Sequence, residues 1–274
     1  MTDTAPTHVE ITADGLIELR ARSPLAHKLG IAGPRDRLFV TEAGQNLARM
    51  AMALDPVYEQ YNLVRYKWFG ERLSQSGSFR QLLLLGAGYD TRTLTLSRTP
   101  GGRIFEIDLP QVLASKRAVL AANGVTIPDE LIFAPADLAS PAMPEILGAA
   151  GFASNSPTAV FAEGVMFFLP ASAVARLTDP AQLGLAAGSR VAFDVWTADR
   201  IRSLNAKVRE KTGRALFGDT PFGNSADEIA ASLRRKGYTE VNVRSLGALS
   251  RDYGVDEVSD PLGDTWFAVT ARVG

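Results

Sequence analysis

Two stretches of this chain carry residues whose types and spacing imply chemistry. The apolar run Leu82 to Leu85 is followed at once by Gly86-Ala87-Gly88, and a second apolar run ends about 20 residues later in Glu106 and Asp108. Glycines let the chain turn sharply and let a ligand approach the backbone, while a carboxylate at the end of the next strand can accept hydrogen bonds from ribose hydroxyls. Either Glu106 or Asp108 has that position. Together they predict a nucleoside-binding site at the carboxyl ends of parallel strands, where open α/β sheets bind ligands.

The residues after the glycines restrict which nucleoside can bind. A dinucleotide fingerprint needs a third small residue where this chain has Thr91, so that a helix N-terminus can meet a pyrophosphate. Gly-Ala-Gly-Tyr-Asp-Thr-Arg is a poor pyrophosphate cradle, and no Gly-Lys-Ser/Thr is present to form a P-loop. S-adenosylmethionine carries adenosine without phosphate and satisfies both restrictions. Two other readings stay open: a nicotinamide-dependent oxidoreductase, and a non-catalytic protein that binds S-adenosylmethionine.

The elements that must position these residues are legible from periodicity. Leu82–Leu85, Arg103–Ile107, Leu131–Ala134, Ala159–Ala162 and Arg190–Val195 are short, nearly continuous apolar runs, as strands buried on both faces should be. Helical patterns separate them over 90–98, 110–122, 140–150 and 170–183. Thr239–Arg244 and Thr265–Arg272 add two strands that can pair antiparallel, giving a seven-stranded mixed sheet. Residues 1–77 show helical periodicity, and they are expected to form a helical cap on the sheet domain of residues 78–274. In the cap, Asp55 and Pro56 predict a helix start, with Val57, Tyr61, Val64 and Trp68 recurring on one face to about Leu73.

Composition narrows the partners. The 274 residues are 46% hydrophobic and carry 29 basic against 30 acidic groups, so no strong field attracts nucleic acid or an anionic membrane. With no cysteine and only His8 and His27, neither a thiolate nor a histidine metal site is expected. A polar N-terminus and the lack of a long apolar run fit a cytoplasmic protein. Oligomeric state is not encoded in these patterns.

Four motifs, in order, resemble the leucine carboxyl methyltransferase-like family: Leu83 to Arg92 around the glycines, Phe105-Glu-Ile-Asp-Leu-Pro110, Ala136-Asp-Leu138, and Phe161-Ala-Glu-Gly-Val-Met-Phe-Phe-Leu-Pro170. The resemblance spans roughly residues 55 to 200. It implies a Rossmann-like class I methyltransferase fold and S-adenosylmethionine as cofactor. Arg65 resembles the arginine that in this family reaches from the cap to the methionine carboxylate, a charge-assisted pair suited to a forked guanidinium. Gly86, Ala87 and Gly88 would lie against the cofactor, and Asp108, with Glu106 as rival, would hold the ribose. Asp137 and Leu138 would meet the adenine. Glu163 ends the fourth strand inside an apolar run, where a carboxylate is costly unless a cation meets it, and the resemblance suggests the methionine ammonium. Asp90 is expected to be a helix cap.

The acceptor side is less specified. The family includes enzymes acting on a protein C-terminal carboxylate and others acting on small natural products. The near-neutral, short chain favours a small-molecule acceptor in a pocket lined by Tyr61, Tyr66, Trp68, Met166, Phe167, Phe168 and Trp196. A carboxylate acceptor needs no base, an alcohol does, and His27 is the one candidate base, more simply read as packing.

Overall fold

The computed structural model describes residues 8–274 apart from positions 32, 34, 98 and 257, with side chains from residue 15 onward. The polar stretch 1–7 and the His8 ring lie outside the described residues. Before the first strand come α1 (His8–Arg22), α2 (Pro24–Lys28), a 3-10 turn at Asp36–Phe39, α3 (Glu42–Leu54) and α4 (Tyr58–Ser74). The remainder alternates: β1 (Gln81–Leu85), β2 (Arg103–Asp108), α5 (Pro110–Ala122), β3 (Leu131–Pro135), α6 (Met143–Ala149), β4 (Thr158–Ala162), α7 (Ala171–Leu177), β5 (Arg190–Trp196), α8 (Ala198–Thr212), α9 (Ala226–Arg235), β6 (Tyr238–Ser245), α10 (Leu246–Asp252) and β7 (Trp266–Val273). The strands form one seven-stranded sheet in the order β3-β2-β1-β4-β5-β7-β6. Strands β1 to β5 run parallel, and β7 inserts antiparallel between β5 and β6. This is the expected mixed sheet of the Rossmann-like class I fold.

The continuous apolar runs have a direct cause. Leu82 and Leu84 belong to one core, Leu83 and Leu85 to another, because successive side chains leave a strand on opposite faces and both faces are covered. The first core also takes Tyr61, Leu63, Val64 and Trp68 from α4, so that helix lies across the sheet face onto which Leu82, Leu84, Ile104, Ala159 and Phe161 project. Each fully buried leucine contributes about 1.5 to 3 kcal/mol relative to exposure.

Several predicted helices are shorter in the structure, and the sequence contains the reasons. Over 90–98 only a 3-10 turn at Arg92–Thr95 forms. The Asp90 carboxylate accepts from the Arg92 backbone N–H at 2.8 Å, and Thr93 Oγ1 donates to buried Glu106, so local side-chain bonds replace a helix ladder in a threonine-rich segment. Helix α7 stops at Leu177, ahead of Asp179-Pro180, and α6 begins only at Met143, with Pro144 in its first turn. Asp55 is not the cap of α4. Its backbone N–H closes α3 on Ala51, α4 starts at Tyr58, and the Asp55 carboxylate pairs with Arg200.

Arg200, on the first turn of α8, is fully buried and also reaches Asp260 at 3.0 Å and Thr265 Oγ1 at 3.2 Å. One guanidinium thus joins the α3–α4 junction, α8 and the segment leading into β7. Arg200→Met should cost about 3 to 5 kcal/mol in urea unfolding, because two buried carboxylates lose their counter-ion. Arg272→Met, which breaks an exposed pair with Glu240, should cost at most about 1 kcal/mol.

The turn after β1 is open to a similar measurement. Gly86 has φ +70°, and a Cβ there would lie 2.7 Å from Val165 Cγ2. Gly30 has φ +69° with nothing within 4 Å of such a Cβ. Gly30→Ala should therefore cost only the left-handed backbone penalty, about 1 to 2 kcal/mol. Gly86→Ala should add about 1 to 3 kcal/mol of overpacking, and equal losses in denaturation would refute the close approach.

Candidate functional site

The turn after β1 is locked to β2 by its backbone. Gly86 and Ala87 both donate to Ile107 O, at 2.8 and 3.1 Å, and Gly88 N donates to Asp108 Oδ2 at 2.7 Å. Asp108 Oδ1 accepts from Leu109 N, also at 2.7 Å. Burial pushes the Asp108 carboxyl up, and the two backbone donors oppose that shift. Ala136 N donates to Asp108 O, which brings Asp137 and Leu138 alongside. Asp137 is exposed, with Oδ1 accepting from Ala139 N at 2.8 Å, and Leu138 is buried.

Glu106, two residues earlier on the same face of β2, has a different environment. It is fully buried, receiving Lys116 Nζ at 2.6 Å and Thr93 Oγ1 at 2.5 Å, one on each oxygen. Both oxygens are engaged inside the protein.

Across the strand ends, α4 delivers Arg65 into an ionic cluster. Arg65 is 2% exposed; its Nε donates to Glu163 Oε1 and its Nη1 to Asp194 Oδ2, each at 3.4 Å. Nη2, which makes neither bond, lies over Gly164, where a Cβ would stand 2.7 Å away. Gly164 has φ +69°, so the turn after β4 has both the conformation and the emptiness that glycine provides. Glu163 Oε2 also accepts from Arg92 Nη2 at 2.5 Å, and Arg92 pairs in turn with Asp90. Burial alone would raise Asp90, but the Arg92 guanidinium holds its carboxyl down at about 2. Asp90 is therefore an ion-pair partner and turn former, where a helix cap was expected.

Asp194 and Arg92 are the residues that sequence reasoning missed. Asp194 is fully buried on β5, accepting from Gly164 N at 2.6 Å, Trp266 Nε1 at 2.8 Å and Arg65. Burial pushes its carboxyl up against these three donors. The signal was available: a carboxylate inside the apolar run Val191 to Trp196 is the same anomaly that singled out Glu163.

The aromatic candidates divide. Phe167 stacks on Trp196 with centroids 3.9 Å apart and planes at 8°, Phe217 and Trp266 meet Trp196 at 4.7 and 5.3 Å, and Tyr61 meets Trp266 edge-on at 5.9 Å. Phe168 is partly buried beside Phe167 and Phe217. Tyr66, by contrast, lies between the Arg92 and Arg20 guanidinium groups at 3.9 and 4.4 Å, and Trp68 packs on Phe69 and under Arg72. Met166 is buried in the core of the opposite face. His27 is exposed on the last turn of α2. The structure thus brings Tyr61, Phe167 and Trp196 together and leaves Tyr66, Trp68, Met166 and His27 elsewhere.

The site can accept a zwitterionic nucleoside. It offers a glycine turn on a carboxylate at one strand end and, opposite, a buried guanidinium with an arm outside its two ion pairs. A sequence model of the leucine carboxyl methyltransferase family matches residues 8–182. A protein of Frankia alni, named as an S-adenosyl-L-methionine-dependent methyltransferase, is 30% identical over 279 residues, covering 97% of this chain and 96% of its own. One from Mycobacterium bovis with the same designation is 32% identical over 281 residues, covering 94% and 88%. Among solved structures, a chain from Thermobifida fusca described as a methyltransferase superposes with a TM-score of 0.62 at 20% identity, covering 98% of this chain and 95% of its own. A DUF574 family protein from Streptomyces avermitilis gives 0.65 at 17% identity, covering 96% and 97%. At these identities the two structures speak to the fold alone. The family model and the relatives agree with each other, and the chain belongs to the leucine carboxyl methyltransferase family of S-adenosylmethionine-dependent methyltransferases.

Proposed function

We propose that the enzyme methylates an oxygen atom of a small-molecule acceptor held against the aromatic wall of Phe167, Trp196 and Phe217. The observation that carries this reading is the Trp196 indole, which is buried while its Nε1 has no hydrogen-bond partner among the described residues. A buried donor of that kind suits an oxygen acceptor, and the rings around it suit an apolar body. Family membership sets the nicotinamide alternative aside.

When bound, S-adenosylmethionine supplies an electrophilic methyl group on a sulfonium. The chain's part is to bind and orient. The Arg65 guanidinium suits the methionine carboxylate, and Glu163, at the end of β4, suits the ammonium group. Asp108 keeps lone pairs beyond its two backbone bonds and so suits the ribose hydroxyls. The glycine turn and the Asp137-Leu138 segment beside it suit the rest of the nucleoside. Glu106 we assign to packing, because it is wholly buried and the Lys116 ammonium neutralises its charge. A carboxylate acceptor is nucleophilic at neutral pH without a base, in keeping with an acceptor wall built from rings. Alignment of such an acceptor with the methyl group can supply roughly 7 to 11 kcal/mol of the barrier.

Two experiments test this. Asp108→Ala should weaken S-adenosylmethionine binding by about 1.5 to 3 kcal/mol in calorimetry while the protein stays folded; an unchanged dissociation constant would remove Asp108 from the ribose. For the acceptor, methyl-labelled cofactor is incubated with a metabolite extract, and the labelled product is identified by mass and treated with mild base. Release of labelled methanol marks a carboxyl ester, and retention on oxygen marks an ether. Label on nitrogen or carbon, or only on protein, would sink the proposal.

A further inference from the structure

We propose that Asp194 is the positioning residue that aims Arg65 at the methionine carboxylate of the cofactor, an inference resting on the proposed pairing of Arg65 with that carboxylate. Its geometry reaches from the sheet interior to the α4 helix. Asp194 lies on β5 opposite Ala268 of β7, and Trp266, two residues from Ala268, pairs with Trp196. Paired residues share a face, so Trp266 is the diagonal neighbour of Asp194, and its indole N–H holds Oδ2 at 2.8 Å. Gly164 N holds Oδ1 at 2.6 Å. Both oxygens are thereby fixed by groups that belong to the sheet and to the turn after β4.

Arg65 arrives from another layer, on a helix that precedes the sheet in the chain. A planar guanidinium held by one carboxylate can still rotate about that contact. With Glu163 on Nε and Asp194 on Nη1, its plane is fixed along two edges. The face of the guanidinium then lies over Gly164, where a Cβ would stand 2.7 Å from Nη2, 2.9 Å from Cζ and 3.0 Å from Nη1, and the remaining arm, Nη2, is the nearest of the three. Without the Asp194 charge the guanidinium would turn toward Glu163, and Nη2 would leave the Gly164 turn. The Trp266 ring, 5.4 Å from Arg65 Cζ, closes the other side of the group. Asp194 itself need not touch the cofactor.

The test compares two ligands. S-adenosylhomocysteine carries the amino-acid carboxylate and 5′-methylthioadenosine lacks it, and calorimetric titration needs no turnover. Asp194→Asn should weaken S-adenosylhomocysteine by roughly ten-fold or more, while 5′-methylthioadenosine stays within about two-fold of the wild type. In an Arg65→Ala background the same substitution should add less than about two-fold for either ligand. A structural role alone would depress both ligands together with thermal stability. If Arg65→Ala spares S-adenosylhomocysteine, the reading of Arg65 itself fails. If Arg65→Ala is selective and Asp194→Asn weakens both ligands equally, or neither, the role of Asp194 is overturned. Should Asp194→Asn not fold, Trp266→Phe keeps the carboxylate and removes one of its anchors. It should weaken S-adenosylhomocysteine selectively by about two- to five-fold, and an equal effect on both ligands would overturn the proposal.

Discussion

A guanidinium that is almost wholly removed from water stays charged at tolerable cost only where carboxylates surround it, and much of this site is arranged around that requirement for Arg65. Glu163, in the turn just after β4, and Asp194, on the neighbouring β5, meet at Arg65 on a helix that precedes both in the chain. The ion pairs therefore do more than neutralise charge. They fix the height and rotation of α4 over the strand ends, where apolar packing alone would permit small slips. Arg92 repeats the pattern on the β1 side, bridging Asp90 and Glu163 while donating to Tyr66 O of α4.

A second contact joins the N-terminal segment to the glycine turn after β1. Phe39, at the end of its 3-10 turn, stacks on Tyr89 with centroids 4.9 Å apart, and Tyr89 directly follows Gly88. Arg20 of α1 pairs with Asp36 at the start of that same turn and stacks over Tyr66. The segment that precedes the sheet thus touches the glycine turn after β1 through stacked rings and the opposite strand ends through ions. Neither kind of contact is strongly weakened by salt, because buried ion pairs are screened far less than exposed ones.

Strand identities were legible because parallel strands buried on both faces leave uninterrupted apolar runs such as Leu82 to Leu85, and the antiparallel pairing of the last two strands was legible in their patterns over 239–244 and 265–272. Helix lengths were less legible. Asp55 followed by Pro56 is a helix-start pattern, yet its carboxylate goes to Arg200, which is distant in sequence and carries no local mark of that partnership. The aromatic residues show the same limit. Tyr66 and Tyr61 lie on one helix and read alike, but guanidinium groups from α1 and from the β1 turn claim Tyr66, while Tyr61 faces Trp266. Periodicity gives the face of a helix, and only tertiary structure tells what the face meets.

The acidic residues in apolar strands make the sharpest case. Glu106, Asp194 and Glu163 break apolar runs in the same way, and each is tolerated because a cation reaches it, yet the consequences differ. Lys116 neutralises Glu106 within its own βα unit, in a place wholly closed to solvent, so that pair stabilises a crossover and offers nothing to a ligand. Asp194 and Glu163 instead share a cation delivered by a separate layer, which makes their charge a means of alignment. Asp108 differs from all three, since its partners are backbone N–H groups and no counter-ion neutralises it directly. A carboxylate held only by neutral donors at a strand end keeps acceptor capacity facing outward. The partner's charge and chain distance, more than the acid's own position, therefore separate residues that support this fold from those available to a ligand.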